Sequence, residues 1–108
     1  MGTKFECCIP IITVNDMTTS KEFYVEKLGF KLSFEWGSPV SYVGLERDEV
    51  SIHLIASSTS RQQAGTGNIC IITNEVDNYF SQCKQRGVET IIEPADREYG
   101  LRDFGLRI

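Results

Sequence analysis

Histidine and tryptophan are nearly absent from this chain of 108 residues, with one of each, and proline occurs three times. A catalytic divalent-metal site usually takes three or more protein ligands, histidine prominent among them, so His53 alone excludes a histidine-rich centre. Basic residues are also short: 11 Lys and Arg stand against 15 Asp and Glu, for a net charge of −4. That disfavours nucleic acid as the main partner, and none is expected, because phosphate binding needs a basic face. Arg97, Arg102 and Arg107 cluster late, but Asp96, Glu98 and Asp103 are interleaved with them. No apolar run approaches the ~20 residues that span a bilayer. The opening MGTKFECC has no apolar signal segment, and Glu6 stands where a myristoylation signal has Ser or Thr. The expectation is a cytoplasmic protein with no membrane partner.

There is no C-x-x-C, no P-loop and no G-x-G-x-x-G; Gly65-x-Gly67 is loop punctuation. The four cysteines are adjacent Cys7 and Cys8, Cys70 in an expected strand and Cys83 on an expected helix face. They read as reduced, mostly buried thiols.

What is present is pattern. Ile11, Ile12 and Val14 suit a strand, within an opening strand from about residue 7 to 14 that Pro10 places at an edge or next to a gap at that residue. Asp16 is a good helix cap, and Thr19 with Glu22 is a competing one. Met17, Tyr24 and Leu28 recur at roughly helical spacing, and Gly29 supplies the left-handed stop. Phe30, Leu32, Phe34 and Trp36 then alternate with Lys31, Ser33 and Glu35, which predicts a strand with Phe34 on the core side beside Phe30 and Leu32. Gly37-Ser38-Pro39 makes a turn, residues 40–46 and 50–56 alternate as strands, and Arg47-Asp48-Glu49 is a hairpin tip.

Residues 57–67 are small and polar, a link between halves. A strand is expected over 68–73, then a helix over 75–86 with Val76, Tyr79, Phe80 and Cys83 in one stripe, Asn74 as cap and Gly87 as stop. Short strands follow over 90–94 and 101–108. The halves echo one another. Ile12 to Met17 is matched by Ile71 to Val76, 59 residues on, whereas Gly29-Phe30 is matched by Gly87-Val88, 58 residues on. The fold class is therefore α+β: two βαβββ modules forming a curved mixed sheet around a cavity, with the last strand of the second apparently missing. The whole of 1–108 is one domain, with module one about 5–56 and module two about 68–108.

Val14-x-Asp16, Phe23-Tyr24, Leu28-Gly29-Phe30, Arg86-Gly87-Val88 and the run Tyr99 to Phe104, set in that module order, resemble the glyoxalase, bleomycin-resistance and extradiol-dioxygenase group, also called the vicinal oxygen chelate superfamily. The resemblance is nearest to its metal-free bleomycin-resistance-like members. Such members usually continue past the equivalent of Ile108 with a final strand. The resemblance implies metal-ligand positions at Ile9, His53 and Asn68, with a fourth in that strand. Ile9 has no donor atom and an amide is a weak ligand for zinc or iron, so no metal and no other cofactor is expected.

His53 is instead a candidate pocket donor or general base. Ser51 shares its strand face without an orienting third group, so no nucleophile is assigned. Trp36 and Tyr42 give aromatic area near one mouth of the expected cavity, and Tyr99 and Phe104 a second set. The expected ligand-binding set is Trp36, Tyr42, His53, Asn68, Tyr99 and Phe104, with no catalytic residue. The reading is a metal-free binder of a small organic molecule, such as an antibiotic or a metabolite, acting as a homodimer because the unfinished module leaves an edge to cover. The competing reading is a metal-dependent lyase, isomerase or dioxygenase whose site a missing strand or a partner chain completes. Whether the protein is an enzyme stays open.

Overall fold

The computed structural model describes residues 2–65 and 67–107; Met1, Thr66 in the polar link and Ile108 in the expected last strand lie outside the described residues. The elements run β1 (Ile11–Val14), α1 (Met17–Glu22), a π-helical continuation (Phe23–Lys27), β2 (Lys31–Trp36), β3 (Tyr42–Arg47), β4 (Val50–Ala56), α2 (Val76–Gln85), β5 (Glu89–Asp96) and β6 (Arg102–Arg107). The strongest alternation in the sequence makes the centre. β3 and β4 pair antiparallel across the two-residue tip Asp48-Glu49, and their inward residues Val43, Leu45, Ile52 and Leu54 are wholly buried. β2 pairs antiparallel with β3, and β1 pairs parallel with β4, so the mixed sheet has the order β1-β4-β3-β2. Pro10 does mark an edge. β1 begins only at Ile11, although the Pro10 carbonyl still accepts from the His53 amide at 3.0 Å.

Of the two competing caps, Asp16 is the one used. Its Oδ1 accepts from the Thr19 amide at 3.0 Å, and that bond holds the Asp16 carboxyl below its ordinary pKa. The helix then widens: the Leu28 amide reaches the Phe23 carbonyl, and the Phe30 amide the Tyr24 carbonyl. A π turn accommodates one extra residue in a helix. The second helix has none. Its Val88 amide closes on Cys83, five residues back, where Phe30 closes on Tyr24, six back. The one-residue slip between the 59- and 58-residue echoes is this turn. Gly29 and Gly87 both sit at φ 79°, and the pairs Tyr24/Phe30 and Cys83/Val88 are buried alike.

Three expectations are corrected. Phe34 does not face the core. A bulge at Ser33 pairs Leu32 with Leu45 but Phe34 with Gly44, so parity reverses between them and Phe34 and Trp36 turn to the face away from the helices. Residues 68–73 form no strand. They are exposed and carry no ladder, because among the described residues no edge is placed to pair with them. The cap of α2 also shifts by one residue, from Asn74 to Glu75.

β5 and β6 make a separate two-stranded sheet on α2, tied to it by Arg102, whose guanidinium grips the Asp77 carboxylate at 2.9–3.2 Å. The modules meet through their helices. Cys83 and Val88 enter one core with Tyr24, Leu28 and Phe30. Tyr79 Oη donates to the Leu28 carbonyl at 2.7 Å. Lys27 and Arg86, 59 residues apart, each donate to the other's backbone carbonyl, an exchange that gives the helix ends an approximate two-fold relation.

Candidate functional site

The bulge at Ser33 and the glycine at 44 together build the most distinctive surface on the protein. Phe34, Gly44, His53 and Ile11 lie in one row across the sheet, and Trp36, Tyr42, Ile55 and Thr13 in the next. A Cβ on Gly44 would lie 2.1 Å from Phe34 Cε1, so glycine is what lets this ring lie flat on the strand. Phe34 stacks on Tyr42 with centroids 6.0 Å apart and planes 16° apart. His53 meets both rings edge-on, at 5.2 Å and 5.3 Å. Its Nδ1 shares a 2.8 Å hydrogen bond with Tyr42 Oη, which fixes the ring's orientation.

Among the described residues most of that face is uncovered: Phe34 is 41% exposed, Ile11 58% and Trp36 70%, and only its Thr13 end is buried, against Ser60. Within one chain the expected cavity is therefore an open curved surface. Gly44→Ala should push Phe34 off the sheet and break its stack with Tyr42. Because the ring can swing into solvent, the stability cost falls at the low end of overpacking, about 1 kcal/mol. Near-ultraviolet dichroism and the His53 ring proton shifts would report the loss, and an unchanged His53 environment would refute it.

The other expected site residues are placed elsewhere. Asn68 lies in the exposed, unpaired segment. Tyr99, exposed in the β5–β6 turn, donates its hydroxyl to Asp103 Oδ2; Arg97 Nε donates to the other oxygen at 2.6 Å, and these two bonds hold the Asp103 carboxyl below its ordinary pKa. Phe104 faces α2, its ring 5.2 Å from Phe80 and 6.5 Å from Tyr79. So the structure brings Tyr42, His53 and Trp36 onto one face and adds Phe34, Gly44 and Ile11, which sequence reasoning missed. A glycine inside a strikingly regular strand was the available signal, since it often marks close approach of another group. All four cysteines are free, but the expected burial holds only for Cys83: Cys7, Cys8 and Cys70 are exposed, because they occupy unpaired chain.

The donors do not fit a divalent ion. Ile9 offers no lone pair, one nitrogen of His53 is engaged by Tyr42, and Asn68 presents a neutral amide on a separate segment. Among the described residues no group of three or more His, Cys, Asp or Glu side chains is placed to hold a metal. No helix among them is long and apolar enough to cross a membrane.

A paired-module α+β fold with a curved mixed sheet defines the class. Residues 7–105 match the model of the Glyoxalase/Bleomycin resistance protein/Dioxygenase superfamily, and the chain belongs to that family. Its fold is similar to a superfamily member from Sphaerobacter thermophilus, with a TM-score of 0.81, 22% identity, and 95% of this chain and 88% of that one covered. It is also similar to the bleomycin-binding protein of Streptomyces verticillus, solved with copper(II)-bleomycin: TM-score 0.80, 20% identity, 98% and 89% covered. The bleomycin resistance determinant encoded on transposon Tn5 gives a TM-score of 0.78 at 19% identity, with 94% and 88% covered. No curated protein matches the chain.

Proposed function

We propose that this protein binds a small, flat organic molecule on the aromatic face of the four-stranded sheet, without a metal, and sequesters it. The observation that carries this is the stacked Phe34–Tyr42 pair with His53 fixed beside it on an uncovered surface. Aromatic rings supply large contact area at little entropic cost. The acidic balance of −4 suits a cationic ligand, and two structural neighbours are bleomycin-binding or bleomycin-resistance proteins.

The face is one wall of a pocket, and a second copy of the chain supplies the other. The protein measures 46 × 43 × 24 Å with a radius of gyration of 15.3 Å, against about 13 Å for a compact domain of this length. Ile69, Ile71, Ile72, Ile91, Ile92 and Leu101 of module two are exposed. A partner's module two laid over module one would bring Asn68 and Tyr99 to the ligand, with Phe104 supporting the sheet from behind. The setting is the cytoplasm.

Trp36, the only tryptophan, makes the test direct. Titration with metal-free bleomycin should shift and quench its emission saturably, and Phe34→Ala or Tyr42→Ala should weaken the midpoint about 3- to 10-fold, the worth of one aromatic pair. Unchanged indole emission across the titration, or a monomer by light scattering, would overturn the reading. The catalytic alternative rests on His53 alone. Turnover of any candidate substrate that survives His53→Ala would remove its basis.

A further inference from the structure

A second site lies where the helix ends of the two modules meet. Gly29, at φ 79°, has no side chain, and a Cβ there would stand 2.5 Å from Arg47 Nη1 and 3.5 Å from Arg86 Nη1. Two guanidiniums, one from each module, thus converge within about 6 Å of each other over a glycine. Like charges at that separation repel unless something compensates them. Arg47 donates to the Leu28 carbonyl at 2.8 Å and lies over the Tyr79 ring, which fixes its position. Its one carboxylate partner among the described residues is Asp48, 3.9 Å from Nε and 90% exposed. Arg86 donates weakly to the Lys27 carbonyl at 3.3 Å and has no ion-pair partner among the described residues.

Around them is a hollow of about 510 Å³, largely open to solvent, lined by Gly29, Lys31, Glu46, Arg47, Asp48 and Arg86. Three cations face two carboxylates there, a local positive excess on a protein whose net charge is negative. Planar guanidiniums match the oxygens of a phosphate in pairs, and arginine is the residue that recognises such groups with fixed geometry. The volume admits more than a bare ion.

We propose that this hollow is a phosphate site, taking inorganic phosphate or the phosphoryl group of a small monoester, and that the bound oxyanion links module one through Arg47 and Lys31 to module two through Arg86. It lies apart from the aromatic face and does not depend on the binding reading above.

Phosphate and glycerol phosphate would each be titrated against the full-length protein at constant ionic strength, balanced with sodium chloride, and followed by melting temperature and phosphorus NMR line width. A ligand that binds only the native state raises the melting temperature. The expected result is a saturable rise that chloride does not give, with a midpoint at least 10-fold weaker in Arg86→Gln. A lower midpoint for glycerol phosphate than for phosphate would identify the monoester as the ligand; the reverse would identify the free ion. A linear rise shared by Arg86→Gln is the general salting effect of phosphate on burial and would overturn the proposal. Should Arg86→Gln fail to fold, Lys31→Gln, altered at an exposed strand position, decides by the same comparison. Indole quenching by bleomycin serves as the control, since it reads the aromatic face alone.

Discussion

Leu54→Ala is expected to destabilise the protein by about 2–5 kcal/mol, a large part of the total for a domain of this size. Leu54 is wholly buried on β4, flanked in register by Ile12 on β1 and Val43 on β3. Truncation removes apolar burial and leaves a hole that strands held on both sides cannot close. The effect should not stay within module one. Cys83 and Val88 from module two complete the same core, so the two halves should lose structure together. Urea unfolding followed by Trp36 emission, which reads module one, and by far-ultraviolet dichroism, which reads both, should give coincident transitions in wild type and variant. Separate midpoints would mean that the modules fold independently and that the shared core contributes little.

Alkaline pH should be the other severe challenge. Burial pushes Tyr24 from 10.0 up to about 12, and burial first, with the neighbouring Cys83 adding, does the same for Tyr79. Below pH 10 the phenols are neutral in folded and unfolded chains, and the full stability is present. Above it the unfolded chain ionises first, so stability falls from about pH 10 and continues to fall until the folded phenols ionise near 12. For Tyr24, 2% exposed with its ring edge-on to Phe23 and Phe30, the loss is on the order of 2–3 kcal/mol. Urea midpoints measured between pH 9 and 12 should drop steeply for wild type and about half as steeply for Tyr24→Phe. Identical slopes would show that the Tyr24 hydroxyl does not carry the dependence.

Much of this architecture is legible in the letters because it rests on local chemistry. Asp16 caps α1 as its carboxylate and position dictate, and both helix-stop glycines adopt the left-handed conformation that only glycine takes without strain. The internal echo survives into matching buried pairs. What was not legible depends on counting against a neighbour. Alternation in 30–36 is real, but the bulge at Ser33 is a relation between two strands, and one residue inserted there places Phe34 with Gly44 and His53. For the same reason the isoleucine-rich run Ile69-Cys70-Ile71-Ile72 reads as a strand, yet it pairs with no strand among the described residues. The candidate site suffers most from this, since Trp36 and Tyr42 were assigned from their strand positions whereas Phe34 required the register.

The unpaired serine of β2 has an implication for how such a surface arises and is lost. Were Ser33 drawn into the ladder opposite Gly44, Phe34 would move opposite Val43 and turn beneath the sheet, into volume that Leu45 and Val43 already fill. A one-residue slip of register would thus erase the recognition surface while every residue that forms it remains in the chain. Deleting Ser33 should instead preserve the surface, because Leu32 and Phe34 would become consecutive and keep Leu45 and Gly44 as their partners.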